Sequence, residues 1–212
     1  MQQTVSVAKG GVNWWDFGDT LVYTAPKTGT TTLMRHFPHL RRTYPIPRDR
    51  PIIGGFRNPV DRWISAYNQL VIQSGKSVMQ ENVLRDSLGT EWFDHWFPDT
   101  INDPIGHARR FLQEAQPEIE GLGVELHFCS QSLCYRRLLG ESWWQHQPLR
   151  LIDYSQWLPV INRVANVNIT EPGNVGVYQG VPKHYYNTLY PLLEQVFAED
   201  LEHWHSININ TV

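Results

Sequence analysis

The stretch Thr20-Leu-Val-Tyr-Thr-Ala-Pro-Lys-Thr-Gly-Thr-Thr-Thr32 decides the fold. Thr20–Thr24 is a short β-prone run closed by Ala25-Pro26. From Lys27 onward the chain opens a helical pattern that runs through Leu33, Met34 and Phe37 and meets Pro38. Strand, tight turn and helix in that order suit an anion. Gly29 permits the turn, and the first backbone N–H groups of a helix point outward at a ligand. Lys27 and the hydroxyls of Thr28, Thr30, Thr31 and Thr32 add side-chain donors at the same place. A Walker A loop reads G-x-x-x-x-G-K-[ST]. Here Lys27 precedes Gly29, and no glycine stands where that loop would begin. The order is wrong for a nucleoside-triphosphate kinase, and an ordinary Thr-rich helix start is the plain alternative.

The pattern repeats once. Pro51-Ile-Ile-Gly-Gly-Phe56 reads as a buried strand, and Arg57-Asn-Pro-Val-Asp-Arg62 follows it. Asn58 suits an N-cap and Pro59 a first helical residue. Val60, Trp63, Ile64, Tyr67 and Val71 then recur as a core-facing stripe. Two strand–helix units in succession predict a parallel sheet with crossover helices. Residues 123–128 and 149–154 are further predicted strands, with helices expected near 155–166 and over 184–205, the last packed on the sheet. Residues 1–19 read as an irregular or hairpin-like lead-in, with Trp14 and Trp15 on the sheet. Ligands of open parallel sheets bind outside the carboxyl ends of the strands, so Lys27 and Arg57 are expected to face one crevice. Ser65 lies opposite the apolar stripe, where its hydroxyl would join an Arg57 fork on a phosphate. Alternatively, Arg57 and Arg62 pair with Asp61 or other surface carboxylates.

Composition narrows the function classes. The chain has 212 residues, 41% of them hydrophobic and 18% charged, which excludes a disordered or fibrous protein and predicts one domain over 1–212. A net charge of −3 argues against a dedicated nucleic-acid binder. No run approaches the length of a membrane span, and the first residues have neither a basic start nor an apolar core, so a cytoplasmic protein is expected. Cys129 and Cys134 cannot build a disulfide framework, and His127 with them lacks a second ligand pair, so no metal site is expected. Asn168-Ile169-Thr170 matches a glycosylation acceptor that stays silent without a secretory route. Nine tryptophans suggest an aromatic core or aromatic-lined pockets.

Pro26-Lys27-Thr28-Gly29-Thr30-Thr31 resembles the 5′-phosphosulfate loop of sulfotransferases that use 3′-phosphoadenosine 5′-phosphosulfate (PAPS). Arg57-Asn-Pro-Val-Asp-Arg-Trp-Ile-Ser-Ala-Tyr67 resembles their 3′-phosphate motif, R-[DN]-P-x-x-R-x-x-S-x-[YF]. The resemblance is strongest to Golgi-type carbohydrate sulfotransferases of the heparan sulfate 2-O and chondroitin kind. Residues 126–134, 152–159 and 189–204 resemble later segments of the family. The resemblance implies an α/β, P-loop-like three-layer fold with a central parallel sheet flanked by helices. It implies that Lys27, Thr28, Gly29, Thr30, Thr31 and the adjoining Thr32 hold the phosphosulfate, and that Arg57 and Ser65 hold the 3′-phosphate. Asn58 stands where many members have Asp. The segment between Thr32 and Arg57 is shorter than the acceptor-binding segment of the Golgi enzymes.

The activity so implied moves a sulfuryl group from PAPS to a hydroxyl acceptor, leaving 3′-phosphoadenosine 5′-phosphate (PAP). Sulfuryl transfer is an in-line displacement, governed by positioning and charge stabilisation. Lys27 is the expected catalytic cation. The acceptor hydroxyl must lose a proton, which suits a histidine. His39, in the short segment after the first helix, is the candidate base, with His36 behind it. Arg41, Arg42, Arg48 and Arg50 form the densest basic stretch, read either as a rim for an acidic sugar or as a solvated loop. The alternatives are a nucleotide kinase or NTPase, and a protein that binds PAPS or PAP without turnover.

Overall fold

The computed structural model describes residues 13–43, 45–73, 78–146, 149–171 and 180–209. In chain order the elements are β1 (Asn13–Asp16), β2 (Leu21–Thr24), α1 (Thr30–His36), β3 (Arg41–Thr43), β4 (Ile52–Phe56), α2 (Pro59–Tyr67) and α3 (Val78–Leu88). They continue with α4 (Thr90–Trp96), α5 (Pro104–Arg110), α6 (Gln116–Leu122), α7 (Gln131–Leu139), β5 (Leu149–Asp153), α8 (Trp157–Ala165), α9 (Tyr190–Val196) and α10 (Ala198–Ile209). The chain divides into two compact units, residues 1–56 with 134–174, and residues 57–133 with 175–212.

The first unit is built on an open five-stranded sheet in the order β3-β1-β2-β4-β5. β2, β4 and β5 are parallel neighbours, as two successive strand–helix units require. The sheet is nevertheless mixed, because β1 runs antiparallel to both β2 and β3. The expected lead-in is thus in part a true strand. Trp14 and Trp15 point to opposite faces of β1 and both are buried, so the strand lacks the polar alternation that would reveal it. Trp15 and Val22 pack with Leu33 and Phe37 from the α1 region and with Trp157 and Ile161 of α8. On the alternate positions, Tyr23 and Phe56 meet Tyr135 and Trp143, with ring centroids 4.9 Å apart for Tyr23–Tyr135 and 5.0 Å for Tyr135–Trp143.

Gly54 and Gly55 sit mid-strand, where glycine normally weakens a sheet. Each is needed for a close approach. A Cβ on Gly54 would lie 2.4 Å from the Tyr135 hydroxyl, and one on Gly55 would lie 2.8 Å from the Thr28 carbonyl and 3.2 Å from the Trp157 ring. The Tyr135 hydroxyl donates to the Gly55 carbonyl at 2.9 Å.

The second unit is helical over its described residues. Asn58 caps α2, its side chain accepting from Asp61 N–H at 3.1 Å, and Pro59 takes the first helical position. The expected stripe is buried throughout: Val60, Trp63, Ile64, Tyr67 and Val71 are each 5% exposed or less. Residues 123–128 are not a strand. Gly123, left-handed at φ 60°, closes α6, and the N–H groups of Phe128 and Cys129 then both donate to the Glu125 carbonyl, forming a tight turn. Arg62 explains why the turn holds. It is fully buried, and its guanidinium donates to the carbonyls of Cys129 and Leu126, each at 2.7 Å. Carbonyls that a strand would offer to a neighbour are taken by a fork, so Arg62 is no surface pair.

The C-terminal helix is broken into a 3-10 stretch over Lys183–Leu189, then α9 and α10, which divide at Phe197. Pro191 in the first turn of α9 lacks the N–H that a continuous helix would use. The apolar positions Tyr186, Leu189, Leu193 and Phe197 are buried, but they belong to the second unit, where α9 and α10 pack against α2.

Two outcomes follow from this packing. Arg62→Lys loses the fork and leaves a buried carbonyl unsatisfied, so urea unfolding should show a loss of about 1–3 kcal/mol; an unchanged midpoint would mean the turn is held some other way. His107, whose Nδ1 lies 2.6 Å from the Tyr67 hydroxyl, is pushed down by burial to about 4, aided by the Arg110 charge. Between pH 6.5 and 4 the unfolded chain binds a proton there and the folded chain does not. Stability should therefore fall as pH drops through that window, by on the order of 3 kcal/mol more than in His107→Gln. Parallel pH–stability curves for the two proteins would refute this.

Candidate functional site

In the first unit the carboxyl end of β2 runs into the loop 25–29 and then α1. Two residues of this loop are left-handed: Lys27 at φ 68° and Gly29 at φ 111°. A non-glycine residue held there is strained and is kept only where its surroundings enforce it. The enforcing bonds are internal. The Thr28 N–H and hydroxyl both donate to the Ala25 carbonyl, at 3.2 Å and 2.6 Å, and Thr28 is completely buried. The Thr30 hydroxyl lies 2.8 Å from that of Thr24 and 3.3 Å from the Ala25 carbonyl. Thr28 and Thr30 thus hold the loop shape. Thr32 is buried as well, and Thr31 is exposed.

Gly29 is the N-cap of α1, and no side chain caps the helix start. The indole of Trp157 lies directly behind it: a Cβ on Gly29 would fall 2.2 Å from Trp157 Nε1. Trp157 is 2% exposed, and its Nε1 finds no hydrogen-bond partner among the described residues. Nothing in the residues around Gly29 marks this partner, which arrives 128 positions later in the chain.

His36 and His39 are both exposed. His36 ends α1 and His39 sits in the single turn Pro38–Leu40, its carbonyl accepting from Arg42 at 2.9 Å. Six helical steps separate Thr30 from His36, about 9 Å along the axis. Lys27 and the two histidines therefore lie at opposite ends of α1. The basic stretch is mostly occupied locally. Arg50 pairs with Asp16 at 2.9 Å and donates to the Gly18 carbonyl, and its hydrogen bond to the Asp16 carboxyl, more than its charge, holds that group below the usual range. Arg41 donates to Asn13 at 2.8 Å. Arg41 and Arg42 lie on the edge strand β3, where exposed charges discourage strand pairing with other chains.

In the second unit Arg57 is half-buried, and its backbone is gripped by one side chain. Arg57 N–H donates to Gln131 Oε1 at 2.9 Å, and Gln131 Nε2 donates to the Arg57 carbonyl at 2.8 Å. Ser65 falls with Asn58 and Asp61 on the less buried stripe of α2, opposite the core positions. Lys183 forms an ion pair with Asp61 that holds its ammonium above the ordinary lysine value, while the Arg57 charge opposes it. Lys183 is an addition that no motif marked, and Gln131 lies within the family-like stretch 126–134 without having been singled out there.

Two other groups are notable. Glu125 is buried and accepts from both the N–H of His127 and its ring, with Nδ1 at 2.6 Å from Oε1. Cys129 and Cys134 are buried thiols, and among the described residues no group of three or more His, Cys, Asp or Glu is placed to hold a metal ion. Six tryptophans (Trp14, Trp15, Trp63, Trp96, Trp143 and Trp157) are buried core residues, so core packing accounts for most of the tryptophan content. Among the described residues no helix is long and apolar enough to cross a membrane.

Gly29→Ala should destabilise the protein by roughly 2–5 kcal/mol, combining left-handed strain with overpacking against Trp157. Thermal unfolding reads this, and a Tm equal to wild type would show that Trp157 does not back the loop.

No family model matches the chain, and no solved structure matches it. A large ATP-dependent helicase/nuclease polypeptide of Geobacillus kaustophilus is 28% identical over 109 residues, which is 50% of this chain and 9% of that protein. The chain thus spans about a tenth of the length of the curated protein that it matches.

Proposed function

We propose that the chain is a sulfotransferase that takes a sulfuryl group from PAPS and passes it to an acceptor hydroxyl, with a carbohydrate or glycoconjugate as the acceptor class. The observation that carries this reading is the loop Pro26–Thr32. A left-handed lysine and a left-handed glycine sit between a parallel strand and a helix start that no side chain caps. Such a loop offers backbone N–H groups and one ammonium to a tetrahedral anion. Residues 26–32 contain a cation and no carboxylate, which suits the group; Thr31 is the exposed hydroxyl, while those of Thr28 and Thr30 are bonded within the loop.

PAPS supplies an activated sulfuryl group and leaves as PAP. Lys27 neutralises charge on the leaving phosphate oxygen, and the N–H groups after Gly29 orient the 5′ end. Arg57 and Ser65 hold the 3′-phosphate, Arg57 through its fork. Proton removal from the acceptor needs a base within about 3 Å. His39 lies at the far end of α1 from Lys27, beyond that reach of a hydroxyl attacking sulfur held at the loop, so the base is assigned to no single residue.

A nucleoside-triphosphate enzyme competes for the same loop, and the helicase/nuclease protein carries ATP dependence in its name. That match is too partial to choose between the readings, and the order of Lys27 and Gly29 opposes a Walker loop. Calorimetric titration with PAP and with ATP plus magnesium separates them. PAP should bind to wild type and weaken at least about tenfold in Lys27→Ala and in Arg57→Ala, as loss of a charge-assisted contact predicts. ATP binding with indifference to PAP would end the sulfotransferase reading. PAP binding without sulfuryl release to any hydroxyl acceptor would leave a PAPS-binding protein.

A further inference from the structure

Arg57 is a proposed ligand residue whose backbone is held on both sides by a single distant side chain. In an antiparallel sheet, two facing residues exchange both N–H···O=C bonds. The Gln131 amide reproduces that exchange with Arg57, accepting at 2.9 Å and donating at 2.8 Å across 74 positions of sequence. Gln131 is completely buried. Its own position is fixed from α10: Asp200 Oδ2 accepts from Gln131 N–H at 2.7 Å, and Oδ1 accepts from Ser132 N–H at 2.8 Å and from the Ser132 hydroxyl at 2.6 Å. Asp200 is also completely buried, so its charge is consumed at the start of α7. On the following residue, Asn58 is fixed by its capping bond to Asp61.

We propose that Gln131 is a positioning residue for anion recognition: locked by Asp200, its amide sets the Arg57 backbone so that the guanidinium meets the 3′-phosphate. The proposal rests on the assignment of Arg57 to that phosphate. The choice of an amide has a chemical reason. It satisfies one donor and one acceptor at once and adds no negative charge beside the guanidinium, whereas a carboxylate at position 131 would repel the Arg57 carbonyl and compete with the ligand phosphate. A fork aimed from a loose backbone would lose the geometric advantage of a bidentate contact.

The test compares PAP with adenosine 5′-phosphate, which lacks only the 3′-phosphate, by calorimetry on the full chain. Wild type should prefer PAP. Gln131→Met and Arg57→Ala should each reduce that preference by roughly tenfold to a hundredfold, and the double variant should lose no more than Arg57→Ala alone. Lys27→Ala should weaken both ligands and keep the preference. Circular dichroism checks folding, and Gln131→Asn, an uncharged amide too short to span both bonds, serves if Gln131→Met does not fold. An undiminished PAP preference in either folded variant overturns the positioning role while leaving Arg57 its phosphate. Equal affinity of wild type for the two nucleotides overturns the assignment of Arg57 itself, and the role of Gln131 with it.

Discussion

The first unit depends on the absence of two side chains. Gly54 and Gly55 give the middle of β4 no Cβ on either face, and one large aromatic comes close to the sheet at each: Tyr135 at Gly54 and Trp157 at Gly55. Trp157 also lies behind Gly29, so the same indole joins the floor of the sheet to the back of the Lys27 loop. Any larger residue at these three positions would push Trp157 or Tyr135 away from close-packed neighbours. The loop shape therefore has two sources, the local bonds of Thr28 to Ala25 and the remote indole.

In the second unit buried polar groups do comparable work. Arg62, Gln116, Gln131 and Asp200 are each 1% exposed or less, and each is bonded to backbone groups of a turn or helix start. Buried polar groups are costly unless satisfied; Arg62, Gln116 and Asp200 satisfy carbonyls and N–H groups of residues 126–132, and Gln131 those of Arg57. Aromatic rings fill the rest, as with Trp63 stacked 5.0 Å from Tyr67 and Phe93 stacked 4.8 Å from Phe97. Within one motif the two arginines differ: Arg62 is a buried structural fork, while Arg57 is half-buried and is held through its backbone.

Much of this was legible locally. Asn58-Pro59 marked the start of α2, the Val60-to-Val71 spacing marked its buried face, and the apolar runs before Lys27 and Arg57 marked β2 and β4. These signals reside in neighbouring residues and obey the helix and strand periods. β1 was legible only as a hairpin-like lead-in with Trp14 and Trp15 on the sheet, because a strand covered on both faces has no alternation, and residues 123–128 read as a strand because an apolar run looks alike in a strand and in a buried turn. The base was the least legible part of the site. Position after a helix suggested His39, but helix length set its distance from Lys27.

The sequence by itself determined the parallel strand–helix units, the anion-suited composition of residues 26–32 and the capped helix after Arg57, since each is a consequence of side-chain chemistry within a few residues. Only the tertiary structure decided what holds them. Trp157 behind Gly29, Gln131 on Arg57, Asp200 on Gln131 and Lys183 on Asp61 pair residues 69 to 128 positions apart. Such pairings leave no periodic trace, because the close packing and satisfied hydrogen bonds that select them exist only once the chain has folded.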